Sequence, residues 1–295
     1  MDNTSSRVVV VTGANSGIGR ATAIGLAGHG YTVVGTVRAL AKAAKLQSMA
    51  EAAGVTVHLV EADVADDDSI RDAFGRIAED FGPVDHLVNN AGVGGNAVTE
   101  DCSIAFYHEV MNVNFYGALR CIHAVLPAMR ERRAGTIVNV SSVVGKVAAI
   151  AQQPYVSSKW ALEGMSEGLA QEMAPFGVRV AIVEPGITRS AIFAKNVDVP
   201  PGSSPDYAAH YRRLFQFYAA GLSEATDPAE VAEVVRHAIE TDQPRLRYSV
   251  SWGGPELING RAAMSDEDWV AMGSSLDDAD YYGAFQRHFG VSIAP

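Results

Sequence analysis

Short apolar runs rich in β-branched residues recur at Val8–Val11, Thr32–Val37, Thr56–Val60, His86–Val88, Thr136–Val140 and Val178–Val183. Between them the pattern turns helical over Ala39–Ala53, over Ser69–Phe81, from about Ile104 to Arg132, and over Tyr155–Phe176. An amphipathic stretch ending near His29-Gly30 follows the first run. Later, Thr226-Asp227-Pro228 supplies a capping residue and then a proline at the first turn of a helix, and Arg245–Val250 can add a last strand. Strands alternating with helices of this length predict a parallel sheet covered on both faces, an α/β doubly wound architecture. Such sheets bind ligands beyond the carboxyl ends of their strands.

The candidate chemistry falls at those ends. Directly after the first run stands Thr12-Gly13-Ala14-Asn15-Ser16-Gly17-Ile18-Gly19, and a helix follows. Strand, glycine turn and helix together suit a dinucleotide pyrophosphate, because the glycines permit close backbone approach and the helix start offers unpaired N–H groups. The spacing is GxxxGxG. After the fifth run come Ser141-Ser142 and then Tyr155-Val156-Ser157-Ser158-Lys159, which place a phenol and an ammonium one helical turn apart. An ammonium beside a phenol favours the phenolate and lowers its pKa, as a proton donor working near neutral pH requires.

These motifs and their intervals resemble the short-chain dehydrogenase/reductase family, in its single-domain group, from about Arg7 to Pro255. In family order follow Asp63-Val64, Asn89-Asn90-Ala91-Gly92, Asn114, Ser142, Tyr155 with Lys159, and Pro185-Gly186 with Thr188 and Ser190. The resemblance implies a Rossmann-type fold in one domain over residues 1–255, a substrate lid at about 187–225, and a C-terminal extension of the same domain at 256–295. It implies Tyr155 as proton donor, Lys159 binding the nicotinamide ribose, Ser142 on the substrate oxygen, and Asn114 holding a water that relays protons to Lys159. It also implies that Asp63 meets the adenine edge and that Asn90, Ala91 and Gly92 floor the adenosine side. Ile187 through its backbone and Thr188 through its hydroxyl would meet the carboxamide. Ser190 stands where many relatives carry Thr, and the hydroxyl survives. Asp63 as a helix cap and Asn114 as a partner for backbone groups at a helix kink remain alternative readings.

Cofactor choice turns on the second strand, which ends Gly35-Thr36-Val37-Arg38 without the acidic residue that holds a ribose 2′-hydroxyl in NAD sites. A guanidinium can instead take a 2′-phosphate in bidentate fashion, so NADP(H) is expected in preference to NAD(H), with NAD(H) still possible. The lid carries Ile192, Phe193, Tyr207, Tyr211, Leu214, Phe215, Phe217 and Tyr218, a composition suited to a bulky apolar ketone or secondary alcohol. Arg212-Arg213 in the same region is expected to be a solvated helix face. The leading expectation is therefore an NADP(H)-dependent carbonyl reductase or alcohol dehydrogenase. A non-catalytic NADP(H)-binding redox sensor is the alternative, although a sensor has no need of Ser142, Tyr155 and Lys159 together.

Composition narrows the partners. The formal net charge of −11 over 295 residues argues against nucleic acid and anionic membrane. Two cysteines, Cys102 and Cys121, imply no disulfide framework. Met1-Asp-Asn-Thr-Ser-Ser6 lacks the features of a signal peptide, and no apolar run reaches the ~18 residues of a membrane span. A cytoplasmic protein is expected. By analogy with relatives, the long helices around 104–132 and 155–176 would pair into a homo-oligomer, a dimer or tetramer.

Overall fold

In the computed structural model, which describes residues 7–190, 192, 199–200 and 202–295, seven parallel strands form one sheet in the order β3-β2-β1-β4-β5-β6-β7. They are β1 (Val8–Thr12), β2 (Thr32–Val37), β3 (Val57–Glu61), β4 (His86–Asn89), β5 (Gly135–Val140), β6 (Val178–Pro185) and β7 (Arg247–Val250). Phe193, and the N-terminal stretch read for a signal, lie outside the described residues.

The all-apolar run of β1 reflects burial on both faces. Side chains alternate along a strand. Val8 and Val10 join Ile70, Phe74, Ile77 and Met129 in one core, while Val9 and Val11 join Ala23, Leu26, Val231 and Val235 in the other. Helices α3 (Asp67–Phe81), α5 (Gly117–Arg132) and α6 (Gln153–Met173) supply the first layer. Helix α1 (Gly17–Gly28) and the helix Pro228–Glu240 supply the second. Strand order reverses between β1 and β4, and the crevice that opens at their carboxyl ends positions the site.

Three details depart from the periodic reading. The expected helix Ala39–Ala53 is a 3-10 turn, Leu40–Lys42, followed by α2 (Ala44–Ala52). The expected helix from Ile104 to Arg132 is α4 (Ile104–Met111) and α5 joined by a π-helical turn, Asn112–Tyr116. The residues after 255 form helices Gly254–Ala263, Asp266–Gly273 and Asp278–Phe289. Their Leu257, Met264, Tyr281, Phe285 and Phe289 pack with Val143, Val144, Val147 and Val156, so the extension roofs the loop that follows Ser142.

Arg213 is not solvated as expected. It is 3% exposed on the helix Ala208–Ser223, pairs with Asp278 at 2.8 Å, donates to the Ser275 carbonyl at 2.9 Å, and stacks on Tyr281 at 4.5 Å. Asp278 belongs to the extension, whose partner-bearing side could not be read from local sequence. Arg212 keeps an exposed pairing with the same carboxylate.

Candidate active site

The glycine turn is shaped by close approach. Gly13 has φ +66°, and a Cβ there would lie 2.8 Å from Ala91 Cα. A Cβ on Gly19 would lie 2.3 Å from Asn90 Nδ2 and 2.5 Å from the Gly13 carbonyl. Only glycine fits either place. Thr12 ties the two strand ends together: its hydroxyl accepts from the Asn90 and Ala91 N–H groups at 3.0 Å each, and Asn90 Nδ2 donates to the Thr12 carbonyl at 2.9 Å. Around this turn hydrogen-bonding capacity is left over. Asn15 Oδ1 is buried without a partner, and Ser16 precedes α1 without capping it through its side chain. Ser190 closes the turn from above, 3.1 Å from where a Cβ of Gly17 would sit.

At one end of the crevice Arg38 is exposed, and Lys42, at the end of the 3-10 turn, lines the same wall. Arg38 has no ion pair among the described residues, and β2 itself ends without an acidic residue; the neighbouring Glu61, beside Val37 at the end of β3, accepts from the Leu40 N–H at 3.1 Å. Asp63 is half-buried and also lines the cavity, with Oδ1 accepting from the Ala65 N–H at 2.9 Å. It does not cap α3. That role falls to Asp66, which accepts from the Ser69 N–H at 2.6 Å. Val64, Asn90, Ala91 and Gly92 continue the lining toward the centre.

The second half of the site hangs on β5, α6 and β6. Ser142 leaves β5 in extended backbone, and its hydroxyl donates to the Pro185 carbonyl at 3.4 Å while accepting from the Val144 N–H at 3.3 Å. Tyr155 lies in the first turn of α6 within hydrogen-bonding reach of Ser142. Lys159, one turn on and 4% exposed, places Nζ 5.6 Å from the Tyr155 ring centre and donates to the Val140 carbonyl at 2.9 Å.

The expected lowering of the Tyr155 pKa by Lys159 is not what governs this pair. Burial pushes the tyrosine up to about 12, with the Ser142 hydrogen bond acting against it. Burial also pulls Lys159 down to about 8, opposed by Glu163. Desolvation is the largest cause for both groups, and Nζ is turned to a backbone carbonyl. The phenol is therefore protonated at neutral pH.

Asn114 occupies the π turn, and the extra residue of that turn is what points its amide inward. Oδ1 accepts from the Val93 N–H at 2.8 Å, while Nδ2 donates to the Val93 carbonyl and to Ser158 Oγ, each at 2.9 Å. Ser158 Oγ donates to the Tyr155 carbonyl at 2.7 Å. The kink reading of Asn114 thus holds in part, because the amide clamps the loop after β4 to the helix bearing Tyr155.

Past β6 one expectation changes. The Ile187 N–H donates to the Trp252 carbonyl at 3.0 Å, and the Ile187 carbonyl accepts from the Thr226 N–H at 3.3 Å. Its backbone is thus engaged by two neighbouring segments. The Thr188 backbone takes part in neither bond, and the Thr188 hydroxyl shares a 2.8 Å hydrogen bond with Ser251.

Of the residues expected at the site, all but Gly19 and Asn114 line one cavity of about 930 Å³ that runs from Arg38 and Lys42 past the glycine turn to Ser142, Tyr155 and Lys159. Asn114 stands just behind it. Asn15, Gly13 and Gly19 fit a dinucleotide pyrophosphate, and Arg38 with Lys42 fit an added phosphate. Beyond Tyr155 the wall is Ile192, Phe217, Val143 and Val144, with a buried hydrogen-bonded group of Asn96, Gln152 and Tyr218. Tyr211 and Leu214 instead pack into a core with Val98, Ala151 and Ile187. Sequence reasoning missed Lys42, Asn96 and Gln152. The last stands three residues before Tyr155, the one signal that could have flagged it.

Comparison with known proteins agrees with this geometry. A family profile described as short chain dehydrogenase matches residues 7–199. Retinol dehydrogenase 8 of Bos taurus is 37% identical over 256 residues, covering 82% of this chain and 80% of its own. A short-chain dehydrogenase structure from Streptomyces avermitilis aligns with TM-score 0.78 at 32% identity, covering 93% of this chain and all of that one. A variant actinorhodin polyketide ketoreductase solved with NADPH aligns at TM-score 0.70 and 31% identity, covering 81% and 92%. With a doubly wound parallel sheet, a glycine turn, and a serine, tyrosine and lysine meeting in one crevice, the chain belongs to the short-chain dehydrogenase family of oxidoreductases.

Proposed function

We propose that the chain reduces the ketone of a bulky apolar small molecule with NADPH, or oxidises the corresponding secondary alcohol with NADP+. The observation that carries this is the meeting of Ser142, Tyr155 and Lys159 on one wall of a cavity whose far rim holds Arg38 and Lys42. When bound, the nicotinamide supplies or accepts the hydride. The chain's own residues do the rest. Ser142 donates a hydrogen bond to the carbonyl oxygen, and Tyr155, kept as a phenol by burial, gives that oxygen its proton as negative charge develops. Lys159, at the base of the same helical turn, stabilises the phenolate left behind.

The NADP(H) preference rests on Arg38 and Lys42, which follow a strand, β2, that ends without an acidic residue of its own. The apolar substrate rests on Phe217, Val143, Val144 and Ile192 around Tyr155, and the retinol and polyketide substrates in the names of similar proteins point the same way. Exposed Ile104, Tyr116 and Trp160 on α4, the π turn and α6 support a homo-oligomer. Free Cys102 and Cys121 support a reducing, cytoplasmic setting, and no helix among the described residues is long and apolar enough to cross a membrane.

The test is NADPH oxidation by the purified chain against ketones graded in apolar bulk, repeated with NADH. Turnover that rises with bulk and favours NADPH is the expected result. Tight NADPH binding with no turnover on any ketone would favour the sensor.

A further inference from the structure

Behind the wall that carries Tyr155 lies a buried charged group that proton donation by the tyrosine does not itself require. Glu163 sits one turn beyond Lys159 on α6 and is 4% exposed. Its Oε2 accepts from Arg247 Nε at 3.0 Å, while Oε1 is buried and has no hydrogen-bond partner. Glu184, at the end of β6 and 2% exposed, brings Oε1 to 3.5 Å from the same Nε and also lacks a hydrogen-bond partner there. Arg247 then reaches Glu167 at the surface, at 2.6 Å.

Gly145 is what lets Glu163 in. A Cβ at Gly145 would lie 2.9 Å from Glu163 Cγ, 2.8 Å from Ser141 Oγ and 3.3 Å from the Lys159 carbonyl. A buried carboxylate with one oxygen unpartnered is a cost that helix packing does not require, since a leucine at this position would fill the same face. Residues four apart on a helix share a face, so Glu163 lies on the buried face of α6 that also carries Lys159.

We propose that Glu163 is a positioning residue for Lys159: anchored by Arg247, its carboxylate holds the buried ammonium in its charged form. The proposal rests on the reading of Tyr155 and Lys159 given above. It explains why an unsatisfied acid is retained beside the reactive pair.

Tyr155 and Glu163 on α6 are the groups that act on or face Lys159, and around Glu163 and Glu184 stand Arg247 on β7 and Lys146 in the turn after β5. On the other packed elements, His108 and Glu109 of α4 and Glu256 of the first C-terminal helix are exposed. Burial draws Lys159 down, and Glu163 is the charge that acts in the opposite direction. Burial, reinforced by Glu163, raises Glu184 to about 7. Near neutrality Glu184 is therefore partly protonated.

The test is a direct titration of Lys159 by NMR on lysine-labelled, cofactor-free protein. Glu163→Gln should lower its midpoint by about one pH unit. Glu167→Gln, which removes the exposed partner of the same arginine, should leave the midpoint in place. Glu163→Asp should lower it by a smaller amount, and it serves as the deciding variant if Glu163→Gln does not fold. In ketone reduction the alkaline limb of kcat should move to lower pH in Glu163→Gln by the same amount. An unchanged midpoint in a folded Glu163 variant, or an equal shift in Glu167→Gln, overturns the proposal. A parent chain that reduces no ketone overturns the functional reading instead, and the midpoint still decides the coupling.

Discussion

Replacing Arg213 by alanine should loosen the C-terminal helices from the helix Ala208–Ser223. The side chain is 3% exposed and makes two short charged hydrogen bonds, to Asp278 at 2.8 Å and to the Ser275 carbonyl at 2.9 Å. Hydrogen bonds to charged groups contribute ~1.5–3 kcal/mol each, which sets an upper bound of about 6 kcal/mol. Asp278 keeps Arg212 and is partly solvated, so the carboxylate is not stranded and the bound must be reduced. An expected loss of ~2–4 kcal/mol remains, a fall in Tm of ~4–8 °C for a chain of this size. Arg212→Ala, which removes an exposed pair to the same carboxylate, should cost ~0–1 kcal/mol. Urea unfolding of both variants gives the comparison, and hydrogen exchange should show the added opening first in 254–293, with the loop after Ser142 following. Equal small losses in the two variants would refute the burial argument. So would a large loss in Arg213→Ala with exchange unchanged in those helices.

Two further outcomes follow from groups elsewhere. Arg38→Asp should reduce the NADPH-to-NADH ratio of kcat/KM by ~10-fold or more, the size of one lost charge-assisted contact, with Lys42 limiting the change; an unchanged ratio would remove Arg38 from the site. His86 is buried with both ring nitrogens unpartnered, and burial lowers its pKa from the usual 6.5 to about 4. Its folded pKa is the lower one, so the stability it contributes is full above about pH 6.5 and is lost as pH falls toward 4. His86→Leu should flatten that part of the stability curve, as urea midpoints measured across the range would show.

Much of the architecture is legible in the sequence because a parallel sheet buries both faces of its strands. The run Val8–Val11 carries its strand assignment in local composition alone. The glycine turn and the Tyr155, Lys159 pair are likewise local, since one turn of chain fixes their spacing. What periodicity could not show depends on contacts between distant segments. The π turn at Asn112–Tyr116 keeps a helical pattern on both sides, and only the burial of Asn114 against Val93 and Ser158 reveals the extra residue. Arg213 reads as solvated until Asp278, sixty-five residues away, arrives to meet it. Ile187 reads as a free backbone contact until Trp252 and Thr226 occupy both its groups. Glu163 reads as one more polar helix position, and nothing before the fold places Arg247 and Glu184 beside it.

The central claim is that Tyr155 donates the proton, and it is tested most directly by Tyr155→Phe assayed at neutral pH for ketone reduction, with NADPH affinity measured on the same sample. The substitution removes one oxygen from a half-buried ring and leaves the glycine turn, Arg38 and Lys159 in place. Turnover should fall by ~10³-fold or more while the NADPH Kd stays within a few-fold of the parent. Turnover within tenfold of the parent would contradict the account, because the proton would then come from a group other than Tyr155.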